Sequence, residues 1–363
     1  MKMNGSANAR RRMPVSVLIA AVACGLLLTV AAVGAAQSAA RSAARSAEVV
    51  YLEGFPEIYA SGGSTYLADF GDQLQSGDSV VTGSADYVEL ERQVGELIKV
   101  SPDTVFALRE VQRGEEKETV LSAAAGQVSF RFDRITGKEP LLGSPTVAAG
   151  VRGTEVTVYA GDDGTTLFLV TSGEVAVDSA GEETVLTAGQ ASEVLPGHPP
   201  GEPFDWQTRP IDFSAWNEGR LEEFLESPLE SARRIREELN AFADRIDELY
   251  PRYEEVSRQL EQERNKYDDI LEEEGEEKLR EYQREVVAPM IAEAQGLILN
   301  VRYNALSALS LRRFVLGKMY MNMKTRFIFD RDAPEYRDFT LLYEDMLGDF
   351  EERIVPHLVA TDI

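Results

Sequence analysis

Cysteine and histidine are nearly missing from this sequence, which has one of the first and two of the second. The single cysteine, Cys24, lies inside an N-terminal apolar run. Disulfide scaffolds, Cys/His zinc sites and Cys–His nucleophilic pairs are thereby excluded. Positive charge is also scarce, with 37 Lys and Arg against 62 Asp and Glu and a net charge of −25. A nucleic acid must be met by a basic face, so no nucleic-acid partner is expected. With 62 acids present, no spacing singles out a general acid and its base. No catalytic residue, cofactor or metal site is assigned, and the reading is that the protein is not an enzyme. Apolar residues are not lacking: they form 44% of 363 residues, enough for the cores of two domains.

Arg10, Arg11 and Arg12 precede an uncharged stretch from Pro14 to Ala40, with its apolar heart from Val15 to Val33. This is the layout of an export signal. Small residues follow at Gly34, Ala35 and Ala36, where cleavage fits, yet about 19 apolar residues also suffice to span a bilayer. Residues 1–47 are therefore read as a signal peptide or a signal anchor. Either way the arginines stay in the cytoplasm and the rest is exported. Ala21-Val22-Ala23-Cys24 is a weak lipoprotein box, because the apolar run continues past the cysteine.

Residues 48–195 read as β structure. Runs rich in Val, Thr, Tyr and Phe recur about every 8–12 residues between Gly, Asp and Ser, which suits a meandering sandwich or short solenoid. In Val128-Ser129-Phe130-Arg131-Phe132 the apolar residues share one strand face. Asp162-Asp163-Gly164 is expected to be a hairpin turn, and Ser172-Gly173 and Ala180-Gly181 are expected to end the next two strands.

Several stretches then resemble the FecR domain family in order and spacing. They are Gly71-Asp72-Gln73-Leu74-Gln75-Ser76-Gly77-Asp78, Ser84-Ala85-Asp86-Tyr87-Val88-Glu89-Leu90, Ser101-Pro102-Asp103-Thr104, Gly126-Gln127-Val128 and Ser144-Pro145-Thr146-Val147-Ala148-Ala149-Gly150. The most diagnostic is Val151-Arg152-Gly153-Thr154-Glu155, and Gly173-Glu174-Val175 and Ala188-Gly189-Gln190 complete the set. The resemblance covers roughly Gly71 to Gly197. It implies an extracytoplasmic all-β module, found in iron-responsive transmembrane regulators and in exported proteins of other roles. The signature residues are read as structural, with Arg152 and Glu155 as a pair at a strand start. One departure stands out: a regulator of that type carries a cytoplasmic helical segment that engages a sigma factor, and Met1 to Met13 is too short to fold as one.

Residues 196–213 hold Pro196, Pro199, Pro200, Pro203 and Pro210 with Gly197 and Gly201, the composition of a semi-rigid linker. Residues 214–363 then read as a separate all-α domain, an antiparallel helical bundle or coiled coil. A helix is expected from Pro228, capped by Ser227. Ile235, Leu239, Phe242, Ile246, Leu249, Tyr253, Val256 and Leu260 form its seam, with a kink or short break at Pro251. A tip or break is expected at Gly275, a turn near Pro289, and a last helix capped by Asp332 and ended by Pro356. Acids dominate from Asp244 to Glu285, whereas Arg302, Arg312, Arg313, Lys318, Lys324 and Arg326 lie in a stretch free of acids. If the chain turns back, those bases face those acids; a docking face for an acidic partner or anionic lipid is the sharper alternative.

Other candidates are weaker. Asp69, Asp72 and Asp78 are turn acids without calcium-loop spacing, and His198 and His357 are expected at the surface. Tyr320 with Met319, Met321 and Met323 reads as core. The functional expectation is an extracytoplasmic envelope protein, on the periplasmic side, whose FecR-like domain binds or scaffolds. Its helical domain associates with itself or with a protein partner, and its N-terminal segment meets the membrane. Signalling through a separate membrane partner is the alternative, and a carboxylate enzyme on envelope polymers a remoter one.

Overall fold

A computed structural model describes residues 47–93, 95–132, 139–208 and 210–359. The export signal read in the sequence lies outside the described residues. Among them, the β part comprises β1 (Ala47–Glu53), β2 (Glu57–Tyr59), β3 (Thr65–Leu67), β4 (Gln73–Leu74), β5 (Ser79–Val81), β6 (Tyr87–Glu91), β7 (Glu96–Val100) and β8 (Val105–Arg113). It continues through β9 (Glu116–Phe132), β10 (Leu141–Gly143), β11 (Ala148–Ala160), β12 (Thr166–Ser179), β13 (Glu182–Thr187), β14 (Gln190–Val194) and β15 (Phe204–Asp205). Pairing is antiparallel except between β9 and β10, so the sheet is mixed.

Long strands fold this sheet around its own core, because each serves two neighbours in succession. The first part of β9 pairs with β8 and its last part with β7. The corner between them is Gly126, at φ +82°, where an added Cβ would stand 2.4 Å from Thr104 Oγ1. Likewise β12 pairs with β14 and then with β13. Enclosed between the faces are Val128, Phe130 and Phe132 with Phe106, Phe168, Ile58 and Leu121, while Arg131 points to solvent. The alternation read in β9 is thus the core-facing pattern of a real strand. Asp162-Asp163-Gly164 does form the β11–β12 turn, and Ala180-Gly181 the next. Ser172-Gly173 ends nothing, because β12 runs straight through it.

The helical part comprises α1 (Phe213–Glu226), α2 (Pro228–Arg264), α3 (Tyr267–Glu273) and α4 (Glu276–Tyr282), followed by α5 (Ala288–Ser310), α6 (Gly317–Arg326), α7 (Pro334–Arg353) and α8 (Val355–Val359). The fold is therefore α+β with the two kinds of structure segregated into separate domains. The helices have a core of their own: Ile235, Leu239, Ala243 and Ile246 of α2 pack with Val301, Ala305 and Ala308 of α5 and Phe339, Met346 and Phe350 of α7. Pro251 sits inside α2 without breaking it.

Chain reversal occurs at Gly275, at φ +85°, rather than near Pro289. A π-helical turn, Gln283–Val287, joins α4 to α5 and carries the helix through the proline. There the Ala288 N–H bonds five residues back, to Gln283, and a wider turn tolerates a residue without an amide hydrogen. A second π-helical turn, Leu311–Leu316, links α5 to α6. The last long helix is capped by Ala333, not Asp332, and Pro356 lies within α8. At the start of α2, Ser227 holds the cap position but its side chain makes no capping bond.

The Pro/Gly segment runs along the sheet edge. Its residues Phe204 and Asp205 are β15, paired to β14, and Trp206 Nε1 donates to the Val170 carbonyl at 3.1 Å. Trp206, Ile211, Phe213 and Trp216 then cover Tyr159, Leu167 and Leu169.

Candidate functional site

The signature residues Val151 to Glu155 sit in β11 where it bulges away from β12. Val151 and Thr154 are buried, and Arg152, Gly153 and Glu155 are exposed. Thr154 Oγ1 both accepts from Arg152 N (3.0 Å) and donates to the Glu174 carbonyl (3.1 Å), and Ser172 Oγ accepts from Glu155 N (3.2 Å). No ion pair joins Arg152 to Glu155, since the bulge places them opposite Glu174 and Ser172 respectively. Gly153, at φ +56°, makes the extra residue possible. Across from it Gly173 lies at φ +78°, where a Cβ would meet the Gly153 carbonyl at 2.4 Å and that of Arg152 at 2.7 Å. Here lies the reason a glycine interrupts β12. Gly173→Ala is expected to lose at least about 2 kcal/mol of stability through positive φ and overlap with backbone. Gly150→Ala, with open space around its Cβ, should be neutral or slightly stabilising, as read by chemical denaturation.

A second cluster surrounds the β11–β12 turn, which is seated against the helices. Asp163 accepts from Thr165 N (2.9 Å) and Thr165 Oγ1 (2.8 Å) and pairs with Arg220 Nε of α1 at 3.1 Å. Arg220 also reaches Glu223 (2.8 Å) and Glu193 (3.8 Å). Next to it, Asp162 N donates to Asn217 Oδ1 (2.9 Å), and the Asp162 carboxylate holds Lys318 of α6 (2.9 Å). Side chains of Ile235 and Val315 close over Gly164.

A third set of contacts joins β8 to α5. The Gln112 amide donates to Asn300 Oδ1 (2.7 Å), and Asn300 Nδ2 returns a bond to the Gln112 carbonyl (3.0 Å). Arg302 Nη2 reaches the Ser76 carbonyl at 3.4 Å, and Arg313 stacks on the Tyr59 ring at 4.7 Å. The basic stretch therefore does not face the acids of α2. Arg302, Arg313 and Lys318 point at the β domain, Arg312 lies over Phe350, Lys324 over Tyr320, and Arg326 on the Leu225 carbonyl. The acids Asp244 and Asp247 are met instead by Arg353 of α7, at 2.5 and 2.6 Å. Helix α5 packs on β8 as well as on α2, and its Arg302 reaches the Ser76 carbonyl of the β domain, a choice that periodicity does not encode.

The remaining candidates are placed plainly. Asp69, Asp72 and Asp78 accept backbone N–H bonds in turns. His198 is exposed, whereas His357 packs edge-on against Tyr250 at 4.4 Å, and burial lowers its pKa. Met319 and Met323 are core, Met321 is exposed. Among the described residues, no group of His, Cys, Asp and Glu could hold a metal ion. At the far end, α3 and α4 bury none of their side chains, leaving Leu271 exposed among acids, and Val286 of the following π-helical turn is exposed as well. Phe329 and Ile328, between α6 and α7, are also exposed.

Residues 78–176 match the family model described as FecR protein. Two crystal structures of a protein described as an anti-sigma factor from Parabacteroides distasonis, at 1.65 and 2.50 Å, are similar to the chain at 17% identity. In each case 35% of this chain and 57% of that chain are covered, with a TM-score of 0.28. This chain thus spans little more than half the length of those proteins. No curated protein matches it. The match runs from the turn before β5, through the bulge of the signature residues, into β12, and over that span the chain is a FecR domain, which makes this a FecR domain-containing protein.

Proposed function

We propose that this is a non-enzymatic protein of the cell envelope, on the extracytoplasmic side, in which the FecR domain serves as a binding or scaffolding module and the helical domain mediates association. The observation that carries the reading is the joining of a FecR domain to a helical domain whose α3–α4 end leaves acids and apolar side chains uncovered. Such an end suits a protein partner or a second copy. The domain limits are 48–195 and 214–363, with 196–213 between them. Anchorage or export through residues 1–47 belongs to the same proposal; no described helix is long and apolar enough to cross a membrane. The FecR match also favours a second reading, signalling through a separate membrane partner.

Two measurements test this. Alkaline phosphatase fused to the C-terminal end of the full chain is expected to be active in intact cells; an inactive fusion removes the envelope placement. Crosslinking in intact envelopes followed by pull-down is expected to return one stoichiometric protein, either a second copy or a partner. Retention of envelope glycan without protein would replace the scaffold reading.

A further inference from the structure

The outer face of the β domain carries a row of side chains that the core does not use. On β6, β7, β9 and β11 the residues Val88, Ile98, Phe130 and Val156 are buried, so their chain neighbours point outward. Strand pairing lines up one outward residue from each strand: Tyr51 of β1 opposite Glu89, Glu89 opposite Lys99, Lys99 opposite Ser129, and Ser129 opposite Thr157. The next position, Leu169 of β12, is covered by Trp206, Ile211, Phe213 and Trp216. The row is therefore a ledge with an aromatic wall at one end, about 19 Å long over four strand spacings.

Tyrosines form the other end. Tyr51 Oη donates to Glu53, and Tyr87 Oη to Glu89 at 2.7 Å, in each case two residues further on and on the same strand face. Such a bond leans the ring along its strand instead of letting it stand off the sheet. Register sets Tyr51 opposite Glu89 and Tyr87 opposite Glu53, so rings and carboxylates alternate at the corners of a square. The ring centroids are 6.2 Å apart with their planes at 64°, a floor and a side wall. Tyr51 is 46% exposed.

The chemistry of the row narrows its occupant. An aromatic face is the negative pole of the ring's quadrupole and attracts the C–H bonds that cover one face of a pyranose. The hydroxyls on the rim of a sugar need donors and acceptors, which Glu89, Lys99 and the Ser129 and Thr157 hydroxyls, 2.9 Å apart, supply. Charge is already matched within the face: Lys99 Nζ lies 3.5 Å from Glu89, and Glu53 is held by Tyr51. A neutral ligand suits such a face better than an ionic one. Strands stand about 4.8 Å apart, close to the length of one sugar unit in an extended chain, so each successive sugar meets the side chain of the next strand. We propose that this ledge binds an extended, uncharged β-linked glycan, with one sugar ring in the Tyr51–Tyr87 corner. The inference rests on the reading of the FecR domain as a binding module and names the ligand class of that module.

The full chain is titrated calorimetrically with cellotetraose and with tetra-N-acetylchitotetraose, and with maltotetraose, whose α-links curl the chain. Saturable binding of at least one β-linked probe is expected, with maltotetraose clearly weaker. Tyr51→Ala and Tyr87→Ala are each expected to weaken binding by about tenfold or more. Tyr51→Phe, which keeps the ring, and Tyr66→Ala, exposed on β3 outside the row, should stay within about threefold of wild type. Thermal unfolding of each variant confirms that it is folded. Absence of saturable binding to both β-linked probes, equal binding of maltotetraose, or undiminished binding in both alanine variants would overturn the proposal. A protein recovered by envelope crosslinking from a chain that binds neither β-linked probe would overturn it too, and would leave the association reading standing.

Discussion

Asp163→Ala is expected to destabilise the protein by about 3 kcal/mol or more and to loosen α1 from the β domain. Removing one member of a buried ion pair leaves the other charge buried, which typically costs 3–5 kcal/mol. Both Asp163 and Arg220 are buried, and the loss also strips Thr165 N and its hydroxyl of their acceptor. Glu223 and Glu193 share the guanidinium, which holds the effect toward the lower end of that range. Replacing both partners by apolar residues, Asp163→Leu with Arg220→Met, should lie closer to wild type than either single change, because no unpaired charge remains. Urea denaturation followed by circular dichroism measures all three. If Asp163→Ala stays within about 0.5 kcal/mol of wild type, the turn is not clamped by this pair.

Ile246→Asp is expected to have the larger effect and to unfold the helical domain. Ile246 is fully buried in the cluster that α2, α5 and α7 build. The change removes roughly 1.5–3 kcal/mol of apolar burial and adds the penalty of a carboxylate among aliphatic and aromatic side chains. Leu239→Asp, 5% exposed and about two helical turns earlier, should act alike. Glu248→Ala, on the exposed side of the same helix, should change stability by no more than about 0.5 kcal/mol. Thermal unfolding with light scattering on the full chain reads the loss of helix and any aggregation together. An unchanged melting temperature in Leu239→Asp would mean that the seam is not the core of this domain.

The seam shows how much of the helical domain is legible in one dimension. Ile235, Leu239, Ile246 and Val256 are buried where the spacing of threes and fours places them, because a stripe on one face of a helix must find cover. What covers it is not written locally. The turn assigned to Pro289 belongs to Gly275, since a π-helical turn absorbs the proline and a glycine at positive φ reverses the chain. In the β domain, the alternation of Val128, Phe130 and Phe132 is core-facing in β9, whereas Ser172-Gly173 looks like a turn and is a place where two backbones nearly touch.

The candidate sites divide along the same line. The signature Val151 to Glu155 was visible as a motif, but its bulge and the lack of an Arg152–Glu155 pair follow from the register with β12. Arg220 and Arg109 gave no sequence signal at all, because each is one charged residue among many until distant segments bury it. Composition, alternation and helical spacing by themselves determined an acidic chain with a β domain followed by an amphipathic helical domain, since these depend on residues close in sequence; the likeness of the β domain to the FecR family rested on its motifs. Tertiary structure alone decided that Arg302, Arg313 and Lys318 face the β domain, that Asp163 meets Arg220 and that Arg109 is buried. Those depend on which segments, tens to hundreds of residues apart, share a buried surface, where water no longer screens one charge from another.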